Sequence, residues 1–501
     1  MKPDTPPAPA ALSRLAEGGA LTLASALLSR GAGMAQTIVI ARLLDPYRVG
    51  VLAVLSYVLS LAGAFADLGL PVAAMQLIAE YRASRPEALR RVLLTLGAAM
   101  LGAAGLGALV VAAGAEWLAA SYREPSLGLL FRVGALALGL SILGSFLTGM
   151  LQGFQRIETL ALLGPLKAIT TLLVTLLLVP SLGLVGVLVG SIAAEVVAWG
   201  VAGRALRHEI APHWAARGEG LPPGRILARA FHLAVPIVLN GLALWGTPWL
   251  VRSVLAHSRG YAEVGLYQIA DSFGRLLLLF PGALAVPFVP AVAEASGAGA
   301  GAAAHLAEGA LRLTVLVTLP AALFLHMAAQ PLVGLVYGGA YGGAGDLAAL
   351  LAMAAFLQAA ALIVWSMLVG MGRSWTGFLI QAAGQAVLIG LTVLLVPGLG
   401  LTGLGVAHLA AGAAALVLGL PYLARRLGVG VARLARLLPL IVLGWLGAWA
   451  VEAVAPYGAG PGALAPAALV ALATAAWALR HLTAEERAWL RIALRRLGPR
   501  P

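Results

Sequence analysis

From residue 17 to residue 480, stretches of about 20 apolar residues follow one another with short polar breaks, each long enough to cross ~30 Å of hydrocarbon as a helix. Lipid offers no partner to a backbone amide, so a chain of this pattern must satisfy its hydrogen bonds inside helices. The chain is 61% hydrophobic and 11% charged, which leaves no polar segment large enough for a soluble domain. We expect an all-α polytopic membrane protein.

The apolar runs predict fourteen spans, at 17–41, 49–69, 92–114, 128–151, 159–179, 183–205, 231–255, 263–290, 310–336, 346–371, 375–396, 400–423, 437–455 and 462–480. Basic residues crowd the N-tail, the loops after even-numbered spans and the C-tail. Only Arg42, Arg48, Arg123, Arg132, Arg252 and Arg259 fall in loops after odd-numbered spans. The positive-inside rule then predicts a multi-pass protein of the cell membrane with both termini cytoplasmic. The net charge of +13 is thereby read as a topology signal and not as a nucleic-acid surface.

One unit of the chain is duplicated. Residues 177–194 read LLVPSLGLVGVLVGSIAA and residues 394–411 read LLVPGLGLTGLGVAHLAA, identical at eleven of eighteen positions across an offset of 217. VGVLAVLSY from Val49 and VGLYQIADS from Val264 match less closely at an offset of 215. The two copies begin in spans 5 and 11. Six spans separate them, so the repeat is parallel and the chain should form two six-helix bundles plus two extra C-terminal helices.

The expected divisions are a disordered N-tail at 1–14, an N-lobe at 15–207, a cytoplasmic linker at 208–228, a C-lobe at 229–424, the last two spans within 425–480, and a basic tail at 481–501. In that tail Thr483, Glu485 and Glu486 give a capping-box start. Arg487, Arg491 and Arg495 then share one helical face, as in a helix lying on anionic lipid.

Charges inside the spans are expensive and point to function. Arg30 and Arg275 are the two basic residues expected there, Arg30 roughly 18 Å deep at 1.5 Å per residue. Two guanidiniums from opposite halves suit a diphosphate, which Arg grips in bidentate fashion. Asp271 precedes Arg275 by four residues and so shares its face; the alternative reading is a self-neutralising pair. Glu195, the one acidic group deep in span 6, is either a coupling group or a carboxyl held between helices. Trp245, Trp249, Tyr267 and Trp365 could stack on sugars, with Asn240, Gln268 and Gln358 as polar partners; packing and interfacial anchoring are the alternatives.

Several motifs carry no chemistry. Gly398, Gly400 and Gly403 spell G-x-G-x-x-G, but in a turn between apolar spans rather than after a strand. His208, Glu209 and His213 are spaced one residue too long for a zinc helix, and Pro212 is expected to break the helix as well. With no cysteine and no Walker motif, neither a metal site, a cofactor nor an ATPase is expected. No outer loop carries the charged groups a glycosyltransferase or polymerase needs; the longest, 115–127, holds Glu116, Arg123 and Glu124.

Five segments, in order, carry a resemblance: SRGAGMAQTIVIARLLDPYRVG at 29–50, ADLGLPVA at 66–73, VGLYQIADSFGRLLLLFPGALAVPFVPAVAEA at 264–295, YGGAYGGAG at 337–345, and GMGR at 370–373 with LLVPGLGLTG at 394–403. Together they resemble the multidrug/oligosaccharidyl-lipid/polysaccharide exporter superfamily, and within it the polysaccharide-biosynthesis flippases, over residues 13–425. The resemblance implies a V-shaped pair of bundles and alternating access. Its cargo would be a polyprenyl-diphosphate-linked oligosaccharide moved to the outer leaflet for cell-surface polysaccharide or cell-wall synthesis. Arg30 looks like the span 1 arginine of lipid II flippases and Arg275 like their span 8 arginine. A second basic position of theirs stands here as Gln36. The expected site is therefore Arg30, Gln36, Asn240, Trp245, Trp249, Tyr267, Gln268 and Arg275, with Asp271 and Glu195 as candidates for coupling to Na+ or H+. Membrane lipids and glycan-assembly enzymes are the implied partners. The alternative is a cation-coupled drug or metabolite exporter of the same fold. Against that branch, span 1 has no acidic residue beyond Glu17 at its entrance.

Overall fold

The computed structural model describes residues 28–214, 222–298, 300–427, 438–454 and 464–480, with Ser25 and Gly462. The N-tail and the basic C-tail lie outside them. The described residues are helical and contain no strand. In chain order the helices are α1 (28–43), α2 (Pro46–Ala66), α3 (Leu70–Ser84), α4 (Leu89–Ala113), α5 (Ala115–Ser121), α6 (Ser126–Gly153), α7 (Ile157–Leu182), α8 (Leu184–Trp214), α9 (Pro223–Arg259), α10 (Tyr261–Leu277), α11 (Leu279–Ala298), α12 (Ala300–Tyr337), α13 (Ala344–Gly370), α14 (Ser374–Leu427), α15 (Leu438–Val454) and α16 (Leu464–Arg480).

Among the described residues, eight helices are long and apolar enough to cross a membrane, nine if the bent pair within α11 counts as one span. This is a multi-pass membrane protein. All fourteen stretches expected from sequence overlap a helix, although the eight that meet the length and hydropathy criteria do not establish fourteen crossings. Helix α14 is continuous in sequence but breaks at Gly400, whose φ of 56° and ψ of −134° are not helical. In the other copy of the repeat Gly183 has φ 55° and ψ −131° and separates α7 from α8. The same glycine, 217 residues on, makes the same turn.

Two sequence expectations fail locally. Pro212 does not break its helix: α8 runs through it to Trp214, a proline being tolerated this close to a helix end when the lost bond can be replaced. His208 and His213 are then excluded as a zinc pair by spacing alone. Lys167 was not expected inside a span, yet it lies in α7.

The chain divides into two compact units, residues 1–44 with 51–249, and residues 45–50 with 250–501. In the first, α6 is the inner helix. Its glycines let α3 approach closely: a Cβ on Gly149 would collide with the Pro71 carbonyl and one on Gly153 with Ile78. Small residues serve this purpose in lipid, where contact rather than water exclusion drives helix packing. Arg82 then donates to the Phe154 carbonyl at 2.7 Å, tying α3 to the end of α6.

In the second unit, α12 and α13 form the interior. Leu316, Leu319 and Leu323 of α12 pack with Ala352, Ala355 and Phe356 of α13. The two helices beyond the repeat join this same cluster through Leu440 and Ala448 of α15 and Ala467 and Ala478 of α16. Residues 45–50 pack here too. Tyr47 meets the Tyr261 ring edge-on at 5.5 Å. The buried Tyr341 hydroxyl, in the turn before α13, is held above its usual range by burial and by the Asp45 carboxylate.

Candidate functional site

Two groups of polar side chains interrupt these apolar helices, one in each unit.

In the second unit the cluster is built on α9, α10 and α14. Arg252 is 1% exposed. Its Nη2 donates to Asp271 Oδ2 at 3.0 Å and to Gln268 Oε1 at 2.9 Å, and its guanidinium lies 4.6 Å from the centre of the Tyr267 ring. The Tyr267 hydroxyl in turn shares a 3.1 Å hydrogen bond with His408 Nε2. Asp271 Oδ2 also accepts from Arg275 Nη2 at 2.6 Å and Nε at 3.1 Å. One carboxylate thus faces two guanidiniums, which leaves a surplus of one positive charge. The Arg275 side chain is 56% exposed, whereas that of Asp271 is 19% exposed. The i, i+4 spacing on α10 makes the Asp271–Arg275 pair. The length of α9, which continues to Arg259, brings Arg252 alongside it.

Sequence reading placed Arg252 in a loop after the seventh span. Helix α9 instead carries it four residues short of its last turn's end and buries it. The signal available was the helical phase of Arg252 relative to Trp245 and Trp249; the apolar run simply ends too early to show that the helix goes on. His408 was likewise missed, because a lone histidine in an apolar span has no local partner to mark it.

In the first unit a cavity of about 680 Å³ opens among α2, α6, α7 and α8. Lys167 Nζ lies 2.8 Å from Glu195 Oε1 and 2.8 Å from Oε2 across it. Glu195 is therefore held between helices by a lysine. Its Oε2 also lies against Gly144, beside Trp199 Nε1, which has no acceptor among the described residues. Trp245 lines the same cavity, 38% exposed, with its ring 6.4 Å from that of Tyr57.

The other expected residues are dispersed. Trp249 donates to the Tyr122 hydroxyl at 2.9 Å. Trp365 packs its indole against Gly377. Arg30 is exposed on α1 and makes no ion pair among the described residues, and Gln36 is half-buried one and a half turns on. The Asn240 side chain lies outside what the structure describes. Of the expected set, the structure brings together Tyr267, Gln268, Asp271 and Arg275 in one unit, and Glu195 with Trp245 in the other. No group of three or more acidic or histidine side chains able to hold a metal occurs among the described residues.

Residues 15–295, more than half of the chain, match a family described as polysaccharide biosynthesis protein. No curated protein matches the sequence. Among solved structures the chain is similar to an inward-facing multidrug resistance MATE family transporter of the MOP superfamily, with 16% identity, 80% of this chain and 94% of that chain covered, and a TM-score of 0.69. It is similar to the lipid II flippase MurJ in an inward closed conformation, with 12% identity, 92% and 99% coverage, and a TM-score of 0.69. A MOP superfamily transporter from Pyrococcus furiosus, described as having a binding pocket of reverse polarity, is similar at 15% identity, 83% and 95% coverage, and a TM-score of 0.55. These likenesses establish a fold shared with MATE transporters and MurJ.

Proposed function

This chain belongs to the polysaccharide biosynthesis protein family, and we propose that it is a flippase that carries a polyprenyl-diphosphate-linked oligosaccharide from the cytoplasmic to the outer leaflet by alternating access. The observation that carries this reading is the surplus positive charge around Asp271. Arg275 presents a half-exposed guanidinium whose present partner is a carboxylate. A diphosphate competes for that guanidinium with the same bidentate geometry. When it does so, Asp271 keeps Arg252, so no buried charge is stranded by the exchange. Arg252 itself stays in place through Gln268 and Tyr267.

Arg30 supplies a second contact to the diphosphate during its passage, while the prenyl chain remains in lipid. Both termini lie in the cytoplasm, where the basic tail rests on anionic lipid. Asp271 and Glu195 are the carboxylates through which Na+ or H+ would couple to transport, and the enzymes that assemble and consume the glycan are the partners. No bond of the cargo is made or broken. The positive surplus disfavours the competing reading, a cation-coupled drug exporter, because it repels cationic cargo.

The test is flipping of a polyprenyl-diphosphate-linked oligosaccharide in proteoliposomes. Arg275→Ala and Arg30→Ala should each slow it, and the double variant should abolish it while its thermal unfolding stays close to wild type. Wild-type rates in the double variant would sink the proposal.

A further inference from the structure

The cavity of the first unit is assembled by one device used four times. Ser56 and Ser60 on α2, Ser141 and Ser145 on α6, Lys167 and Thr171 on α7, and Ser191 and Glu195 on α8 all line it. Each pair is spaced i, i+4, so each helix turns two polar groups, one above the other, to the same space. Four helices converging in this way make a wet column inside an otherwise apolar bundle. Packing alone does not call for this, since apolar side chains would fill such a space at no cost in lipid.

The hydrogen bonding of the column specifies what fits it. Ser60 donates to the Ser56 carbonyl at 2.8 Å, Ser145 to the Ser141 carbonyl at 3.1 Å, Thr171 to the Lys167 carbonyl at 2.8 Å and Ser191 to the Val187 carbonyl at 3.2 Å. Each hydroxyl spends its one proton on its own helix and turns lone pairs to the cavity. Asp67 Oδ1 is used by the Gly69 amide at 2.9 Å, which leaves Oδ2 as a further acceptor. The lining is therefore rich in acceptors. Lys167 is its charged donor, and its charge is already met by Glu195. An inorganic cation would have to displace the lysine, and an anion would meet two carboxylates. A ligand rich in hydroxyl donors and without charge matches the column, and Trp245 offers a half-exposed aromatic face on which the apolar side of a pyranose ring can lie. At about 680 Å³ the space lies within the ~300–1,000 Å³ of small-molecule sites and holds a short run of sugars, not a long glycan.

We propose that this cavity is a saccharide subsite that receives the uncharged sugars nearest the diphosphate, and that it sets the preference for which lipid-linked glycan is carried. The inference rests on the flippase reading for the identity of its ligand. It adds a binding site remote from the arginines.

The native chain has no cysteine, so a single introduced thiol is the only one. With Ser141→Cys in nanodiscs, maleimide labelling should slow several-fold in the presence of a polyprenyl diphosphate bearing an uncharged disaccharide. The bare polyprenyl diphosphate should leave it unchanged, and labelling of a Ser84→Cys control should not respond to either. Trp245→Ala should weaken that protection roughly tenfold, the size of a lost aromatic contact, and Trp245→Phe should restore most of it. Protection by the free disaccharide at higher concentration also supports the subsite, and protection without flipping by the wild type would retain the subsite while sinking the flippase reading. Normal flipping with no protection by any saccharide overturns the subsite alone. Protection by Na+ with no effect of saccharide overturns it in favour of a cation site.

Discussion

Gly50 and Gly265 cross with their backbones in contact, each lying against the carbonyl four residues before the other: Gly50 against Tyr261, Gly265 against Pro46. The relation is reciprocal, and the two glycines are also the matching positions of the weaker repeat, 215 residues apart. A duplication marker in the sequence is thus a physical contact within the second unit, to which residues 45–50 belong. A Cβ on either glycine would overlap the facing carbonyl oxygen, and backbone cannot move aside as a flexible side chain can. Gly50→Ala and Gly265→Ala should each cost about 3 kcal/mol or more, at or beyond the upper end for overpacking. Thermal unfolding of purified protein reads this directly, and a wild-type midpoint in either variant would show that the crossing is looser than described.

The turn glycines of the stronger repeat give a graded pair. Gly183 and Gly400 share φ near 55° with ψ near −130°, a region essentially closed to residues bearing a Cβ. A Cβ at Gly183 would meet open space, so Gly183→Ala isolates the conformational cost, about 1–3 kcal/mol. At Gly400 the same Cβ would also press on the Arg259 guanidinium at 3.0 Å and on Glu263. That ion pair, closed at 3.0 Å, would have to shift. Gly400→Ala should therefore unfold at a lower temperature than Gly183→Ala. The reverse order would refute the assignment of strain to these turns.

The repeats and the apolar runs were legible because both are local: a periodicity and an offset can be counted along the chain. The polar clusters were legible only where one helix holds both partners. Asp271 and Arg275 declare themselves at i, i+4. Arg252 does not, because its partners lie 16 and 19 residues away on another helix and its own helix outlasts the apolar run that announced it. Lys167 and Glu195 are 28 residues apart, and nothing in either neighbourhood predicts the pairing. The i, i+4 serine pairs of α2 and α6 stood in the sequence throughout. Single serines are ordinary in membrane helices, and only their convergence from four helices gives them meaning.

The Lys167–Glu195 pair should behave as a coupled unit. Lys167→Met leaves Glu195 with an unmet charge beside Gly144, and Glu195→Gln leaves a lone ammonium in the bundle. Removing one partner of a fully buried pair costs about 3–5 kcal/mol; the water-lined cavity reduces this to about 1–3 kcal/mol here. The double variant removes both charges and should recover part of the loss, with a coupling energy of about 1–2 kcal/mol in a double-mutant cycle. Additive losses would mean that the two side chains are solvated separately.

Arg252 should be the least replaceable charge in the second unit. It is the one basic side chain that is both fully buried and bonded to two acceptors on a neighbouring helix while stacked on an aromatic ring. Arg252→Ala strands Gln268 and leaves Asp271 with Arg275 alone, so the expected loss is about 3–5 kcal/mol. Arg252→Lys keeps the charge but has no planar fork to reach Gln268 and Asp271 together, and no flat face to lay on Tyr267; it should recover less than half of that loss. Asp271→Asn on the Arg252→Ala background should be milder than on the wild type, since the carboxylate it removes has already lost one partner. Chemical unfolding of the four proteins measures all three effects. A fully stable Arg252→Lys variant would show that charge alone, and not the bidentate geometry, holds α9 against α10.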